Sequence, residues 1–111
     1  MIEFEVQTRD DGIGVVTPQG RLNMVSARRL KEVLSDLVEK GTTRIVVDMG
    51  ETTFLDSSGL GALVGGLKSA RQAGGDLRIA RVSPAVMTVF ELTNLDRVLR
   101  ARDSVDSAFD D

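Results

Sequence analysis

The sequence predicts an α/β fold in a single domain, a mixed β-sheet of about five strands with helices packed on it. Three observations predict it. Segments with apolar residues at every second position, or short β-branched runs, alternate with segments whose apolar residues recur every three or four. Turn residues separate them at short intervals, so strands feed helices and the connections imply right-handed crossovers in a largely parallel or mixed sheet. The 111 residues, 41% hydrophobic and 28% charged, suit one domain over 1–111 with one core, and no repeat, linker or low-complexity run divides them.

The elements follow in the order β-β-α-β-α-β-α-β-α. Residues 2–8, IEFEVQT, set Ile2, Phe4 and Val6 on one face of a half-buried strand. Arg9-Asp10-Asp11-Gly12 signals a turn, and 13–19, IGVVTPQ, reads as the returning strand of a hairpin. Pro18 cannot donate to a ladder, so that strand should end near it or lie at an edge there, and Gly20 breaks the pattern. Ser26 is placed to cap a helix in which Leu30, Val33, Leu34, Leu37 and Val38 form one stripe, closed by Gly41 in the left-handed conformation. RIVVDM, 44–49, is a β-branched run suited to a central strand covered on both faces.

Leu60, Leu63, Val64 and Leu67 then fall at helical spacing, so a helix runs from near Ser57 to about Ala73, with Gly74-Gly75 behind it. LRIARV, 77–82, is a further strand. Ser83-Pro84 supplies a cap and a first-turn proline for a helix packed by Val86, Val89 and Phe90, ending at Thr93-Asn94-Leu95. RVLRA, 97–101, is expected as a last short strand, and Ser104 to Phe109 as a terminal helix using Val105, Ala108 and Phe109.

Composition removes several functions. The chain has no histidine and no cysteine, hence no disulfide or thiolate chemistry, none of the usual zinc ligands and no imidazole to activate a serine. A Ser-Lys pair would have to use Lys31, Lys40 or Lys68, and no spacing supports it, so the protein is not expected to be an enzyme. The 14 basic and 17 acidic residues leave a net charge of −3, and Tyr and Trp are lacking, which argues against nucleic acid. No run approaches the ~20 apolar residues of a membrane span, and the acidic, alternating N-terminus is not a signal peptide, so a cytoplasmic location without membrane insertion is expected. No nucleotide-binding G-x-x-x-x-G-K-[ST] loop is present, and no cofactor is expected.

The most suggestive stretch is DSSGLG, 56–61, at a strand-to-helix junction, where sites gather in such sheets. Asp56, Ser57 or Ser58 could each cap the helix. The same amides and dipole would also favour a phosphoryl group on a serine. Three readings stay open from the residues alone: a cap, a phosphorylated or partner-contacting serine, and a nucleophile, the last disfavoured by the missing histidine. Behind them, Gly61, Gly65 and Gly66 interrupt the helix at ~1 kcal/mol each, and with Ala62 and Ser69 they leave a smooth band. That band suits close packing within the chain or the approach of a partner.

DSSGLG at 56–61, SPAV at 83–86 with the following Phe90, and GRLN at 20–23 together resemble the STAS domain of anti-sigma factor antagonists, over almost the whole chain. The resemblance implies a partner-switching module. The serine after the aspartate, Ser57, would be phosphorylated by a cognate serine kinase that also serves as anti-sigma factor. A PP2C-type phosphatase would reverse the change, and the unphosphorylated form would bind the kinase. Asn23, Asp56, Ser57, Ser58, Gly59, Gly61, Ala62 and Gly65 would make the partner surface. Asn23 stands where the family commonly has aspartate, and Asn94 where a glycine often follows the third helix. Other members of the family would make this a constitutive accessory subunit of a membrane transporter, or a module binding a small molecule.

Overall fold

The structure, a computed structural model, describes residues 4–99 and 101–110. Its strands are β1 (Phe4–Thr8), β2 (Gly14–Pro18), β3 (Gly20–Leu22), β4 (Arg44–Asp48), β5 (Thr52–Leu55) and β6 (Asp76–Ala80). Its helices are α1 (Met24–Glu39), α2 (Ser57–Gln72), α3 (Pro84–Leu92) and α4 (Asp96–Leu99). The main sheet has the order β1-β2-β4-β6, with β1 antiparallel to β2 and the other pairs parallel, so the predicted mixed α/β sheet is present. Ile2 lies outside the described residues.

The hairpin closes as its turn residues suggest. Arg9 N–H donates to Ile13 O at 2.8 Å, Asp11 Oδ1 accepts from Ile13 N at 3.1 Å, and Gly12 takes the positive φ of 85°. β2 stops at Pro18, which has no N–H for a further rung. β4 runs through the centre, with Ile45 and Val47 in the larger core and Val46 in the smaller one. On the larger side, Leu30, Leu34 and Leu37 of α1, Leu63 and Leu67 of α2, and Phe90 of α3 pack on Val16, Leu77 and Ile79. On the smaller side, Ile13, Val15, Val46 and Ala80 are covered by Val105, Ala108 and Phe109. Arg78 is buried there, donating to Ala108 O at 3.0 Å with its guanidinium 4.5 Å from the Phe109 ring centre.

Four expectations are corrected. Asn23, not Ser26, caps α1. The side chain of Asn23 accepts from Val25 N and Ser26 N, while Ser26 Oγ accepts from Asn23 N at 2.9 Å, so Ser26 is the third-residue partner in a capping box. Two strands went unread, β3 and β5, which pair in parallel as a separate ribbon; at three and four residues they are too short to show a period. The expected strand 97–101 is instead α4 followed by a single bridge between Ala80 and Arg102. Leu95 and Leu99, four apart, point inward together, a helical spacing that the strand reading overlooked. Residues 105–109 form turns rather than a helix; their bonds run from Ala108 N to Val105 O and from Asp110 N to Ser107 O, and the segment is too short to repay helix nucleation.

Candidate functional site

The site is set by the β3–β5 ribbon. Leu22 and Leu55 are register partners in parallel strands, so the chain leaves both in the same direction and each strand runs into a helix through one residue. Those residues are Asn23 and Asp56. Both are extended, with φ of −105° and −107°, and both cap the helix that follows. Asp56 N–H donates to Leu22 O at 3.3 Å, tying the two junctions together. α1 and α2 therefore begin side by side, and their unpaired amide ends and positive dipole ends face the same region.

Within this frame the three residues of the motif separate. Asp56 Oδ1 accepts from Ser58 N at 2.9 Å and from Gly59 N at 3.0 Å, so the aspartate is the cap. Ser58 is half-buried on the first turn. Ser57 is exposed as the first helical residue, and among the described residues its hydroxyl makes no hydrogen bond. No lysine stands beside it. Lys31 lies against Gly65, about 12 Å along α2 from Ser57. Lys68 is further still, and Lys40 pairs with Asp36 at 2.9 Å at the far end of α1.

The small residues of α2 divide by face. A Cβ on Gly61 would meet nothing within 4 Å, and one on Gly65 would touch only Lys31 at 3.9 Å. These two belong to the accessible surface. Gly59 and Gly66 do not. A Cβ on Gly59 would meet Leu55 Cδ1 at 2.5 Å and Leu22 O at 2.9 Å, and one on Gly66 would meet Leu34 Cδ1 at 2.5 Å. Ala62 is 1% exposed. Gly59 and Ala62, expected on the partner surface, are interior residues that let α2 sit close to its neighbours.

Sequence reasoning missed an apolar rim beside the serine. Met24 and Val25, the first residues of α1, are 69% and 79% exposed. On the ribbon, Phe54 is partly exposed beneath the Arg21 guanidinium, 4.4 Å from the ring centre. The signal was present: Met24 and Val25 follow a capping residue directly and lie outside the buried set Ala27, Leu30, Leu34 and Leu37. Asn94, at φ 59°, takes the left-handed conformation just past α3, the conformation for which a glycine often stands at that place. Ser83 caps that helix through a 3.3 Å bond from Val86 N.

Comparison with known proteins agrees with this geometry. The STAS domain family model matches residues 4–108. The anti-sigma-B factor antagonist of Staphylococcus aureus is 31% identical over 99 residues, which is 89% of this chain and 92% of that protein. The crystal structure of an anti-sigma factor antagonist from Mycobacterium paratuberculosis superposes with a TM-score of 0.87 at 26% identity, covering 99% of this chain and 92% of that one. The Bacillus cell fate determinant SpoIIAA in its phosphorylated form shares the fold, with a TM-score of 0.77 at 21% identity over 97% of both chains. With the motif, the paired helix caps and the sheet order all in place, the chain belongs to the STAS domain family.

Proposed function

We propose that this protein is an anti-sigma factor antagonist-like partner-switching regulator, in which Ser57 is the phosphoacceptor. The observation that carries the reading is the division of labour at the start of α2. Asp56 takes the capping bonds, and Ser57 presents an exposed hydroxyl with no structural bond to lose. The unphosphorylated form binds a serine kinase that doubles as anti-sigma factor, using the surface around Asn23, Ser57, Ser58, Gly61 and Gly65, with Met24 and Val25 as its apolar part. A phosphoryl group adds about −1.5 to −2 charges. It sits well at a helix N-terminus, so the domain keeps its fold. Next to Met24 and Val25 the same charge opposes docking, because a closing interface would have to desolvate it. A PP2C-type phosphatase restores the binding form. Kinase and phosphatase supply the chemistry, and this chain is their substrate.

Intact-mass measurement of protein isolated from its own cells, wild type beside Ser57→Ala, tests the reading. A phosphoryl increment in the wild type and none in the variant is the expected result. An increment that survives in Ser57→Ala moves the acceptor, with Ser58 next in line. No increment in either protein after exposure to the organism's kinases removes the switch and leaves a constitutive binding role.

A further inference from the structure

β1 ends the main sheet. Its inner side pairs with β2 along all of Phe4–Thr8, and among the described residues no strand pairs with its outer side. The opposite edge is handled differently. Arg102 N–H donates to Ile79 O at 2.9 Å and Arg102 O accepts from Arg81 N at 3.0 Å, so returning chain covers the end of β6. A bare edge is a template for another strand, and proteins that keep one single blunt it with lysine, proline or a bulge. β1 has no lysine, proline or bulge, carries Glu5 as its single charge, and pairs with β2 in unbroken register. It exposes Val6 at its centre, 48% accessible. Beside Val6, a groove of about 410 Å³ opens between β1 and α1, lined by Arg29, Glu32, Val33, Asp36 and Leu37.

We propose that this edge is an interface for a second copy of the chain, β1 against β1, antiparallel about a two-fold axis through Val6. The two four-stranded sheets become one continuous sheet. An axis perpendicular to the sheet keeps both α1 helices on the same face, and the contact is self-complementary as two-fold symmetry requires. The residues select this register. Val6 meets the second copy's Val6, Glu5 faces its Gln7, and Phe4 faces its Thr8, so no like charges are opposed. An axis at Glu5 would set two carboxylates against each other. An axis at Gln7 would place Val6 against Thr8 and shorten the ladder.

The helices agree with the strands. Val6 and Val33 line the same groove, so an axis through Val6 passes near Val33. The rim of the groove reads Arg29, Glu32, Asp36 from its N-terminal end, with Arg29 3.6 Å from Glu32 and Asp36 2.9 Å from Lys40 in exposed pairs that a neighbouring copy can exchange. Antiparallel pairing of two such rims turns the basic end of each toward the acidic end of the other, over a strip made of Val6 and Val33 from both copies. Asn23, at the serine end, lies about 15 Å along α1 from Val33. Both Ser57 sites therefore stay open in the dimer.

Sedimentation equilibrium on the purified chain, from about 1 μM to about 1 mM, reads the association directly. The wild type should dimerise within that range, and Val6→Lys should remain monomeric with an unchanged far-ultraviolet circular dichroism spectrum. Gln7 supplies the register test. Gln7→Lys brings a cation to the second copy's Glu5 twice per dimer and should lower the dimer Kd several-fold, an effect that shrinks with added salt. Gln7→Glu should raise the Kd several-fold. A wild type that stays monomeric throughout overturns the proposal, including when a different protein binds this edge. So does a dimer indifferent to Val6→Lys and to both Gln7 variants.

Discussion

Replacing Asp56 by alanine releases the Ser58 and Gly59 amides that its carboxylate now holds, while replacing Ser57 removes no side-chain hydrogen bond among the described residues. Asp56→Ala should therefore lower stability by about 1 kcal/mol, the usual cost of an N-cap. Ser57→Ala should stay within about 0.5 kcal/mol of wild type, as exposed substitutions do. Urea unfolding of the two variants checks this, and an equal loss in both would make the serine a cap after all. Asn23→Ala should resemble Asp56→Ala, because its side chain also holds two amides. At this scale the sequence put Asp56 among the candidate caps of α2 without ranking it above the serines, and at α1 it took Ser26 for the cap in place of Asn23. Asp, Ser and Asn all carry an oxygen at capping distance from their own backbone, so composition could not say which one takes the cap. The extended φ and ψ of Asn23 and Asp56 decide it.

The glycines of α2 carry the next test, at the scale of the element. Gly61→Ala adds a methyl in open space and removes a helix-interior glycine, so it should stabilise by up to about 1 kcal/mol. Gly66→Ala drives a methyl into Leu34 and Leu77 and should destabilise by about 1–3 kcal/mol. Thermal unfolding separates the two signs. If Gly61→Ala gains stability but weakens kinase binding, the glycine is retained for the surface it exposes. The spacing of the leucines located α2 within a residue of its ends, since a long amphipathic stripe is a strong signal. It could not divide the glycines, because that depends on which neighbour lies across each face. β3 and β5 were unread and α4 was read as a strand for a related reason: each is four residues or fewer, and its identity rests on long-range pairing or on one inward pair such as Leu95 and Leu99.

For the whole molecule, phosphorylation of Ser57 should be a local event. The serine is held by no core contact, and the cores that join the helices to the sheet lie behind α2. In amide NMR spectra, shifts on phosphorylation should concentrate at 22–25 and 55–61 and leave β1, β6 and residues 104–110 in place. Changes that reach β6 and the C-terminal turns would mean that the phosphate rearranges the fold rather than blocking a surface. The sequence by itself determined the α/β class, the long helices, the central strand and the DSSG junction, because those follow from periodicity and turn chemistry that a chain carries locally. Only the tertiary structure decided that two helix caps stand side by side, that Gly59 and Ala62 are interior, that Met24 and Val25 are left exposed at the start of α1, and that among the described residues no strand covers the outer edge of β1. Each of these depends on which segments meet across the sheet, and that is set by burial and pairing between residues far apart in the chain.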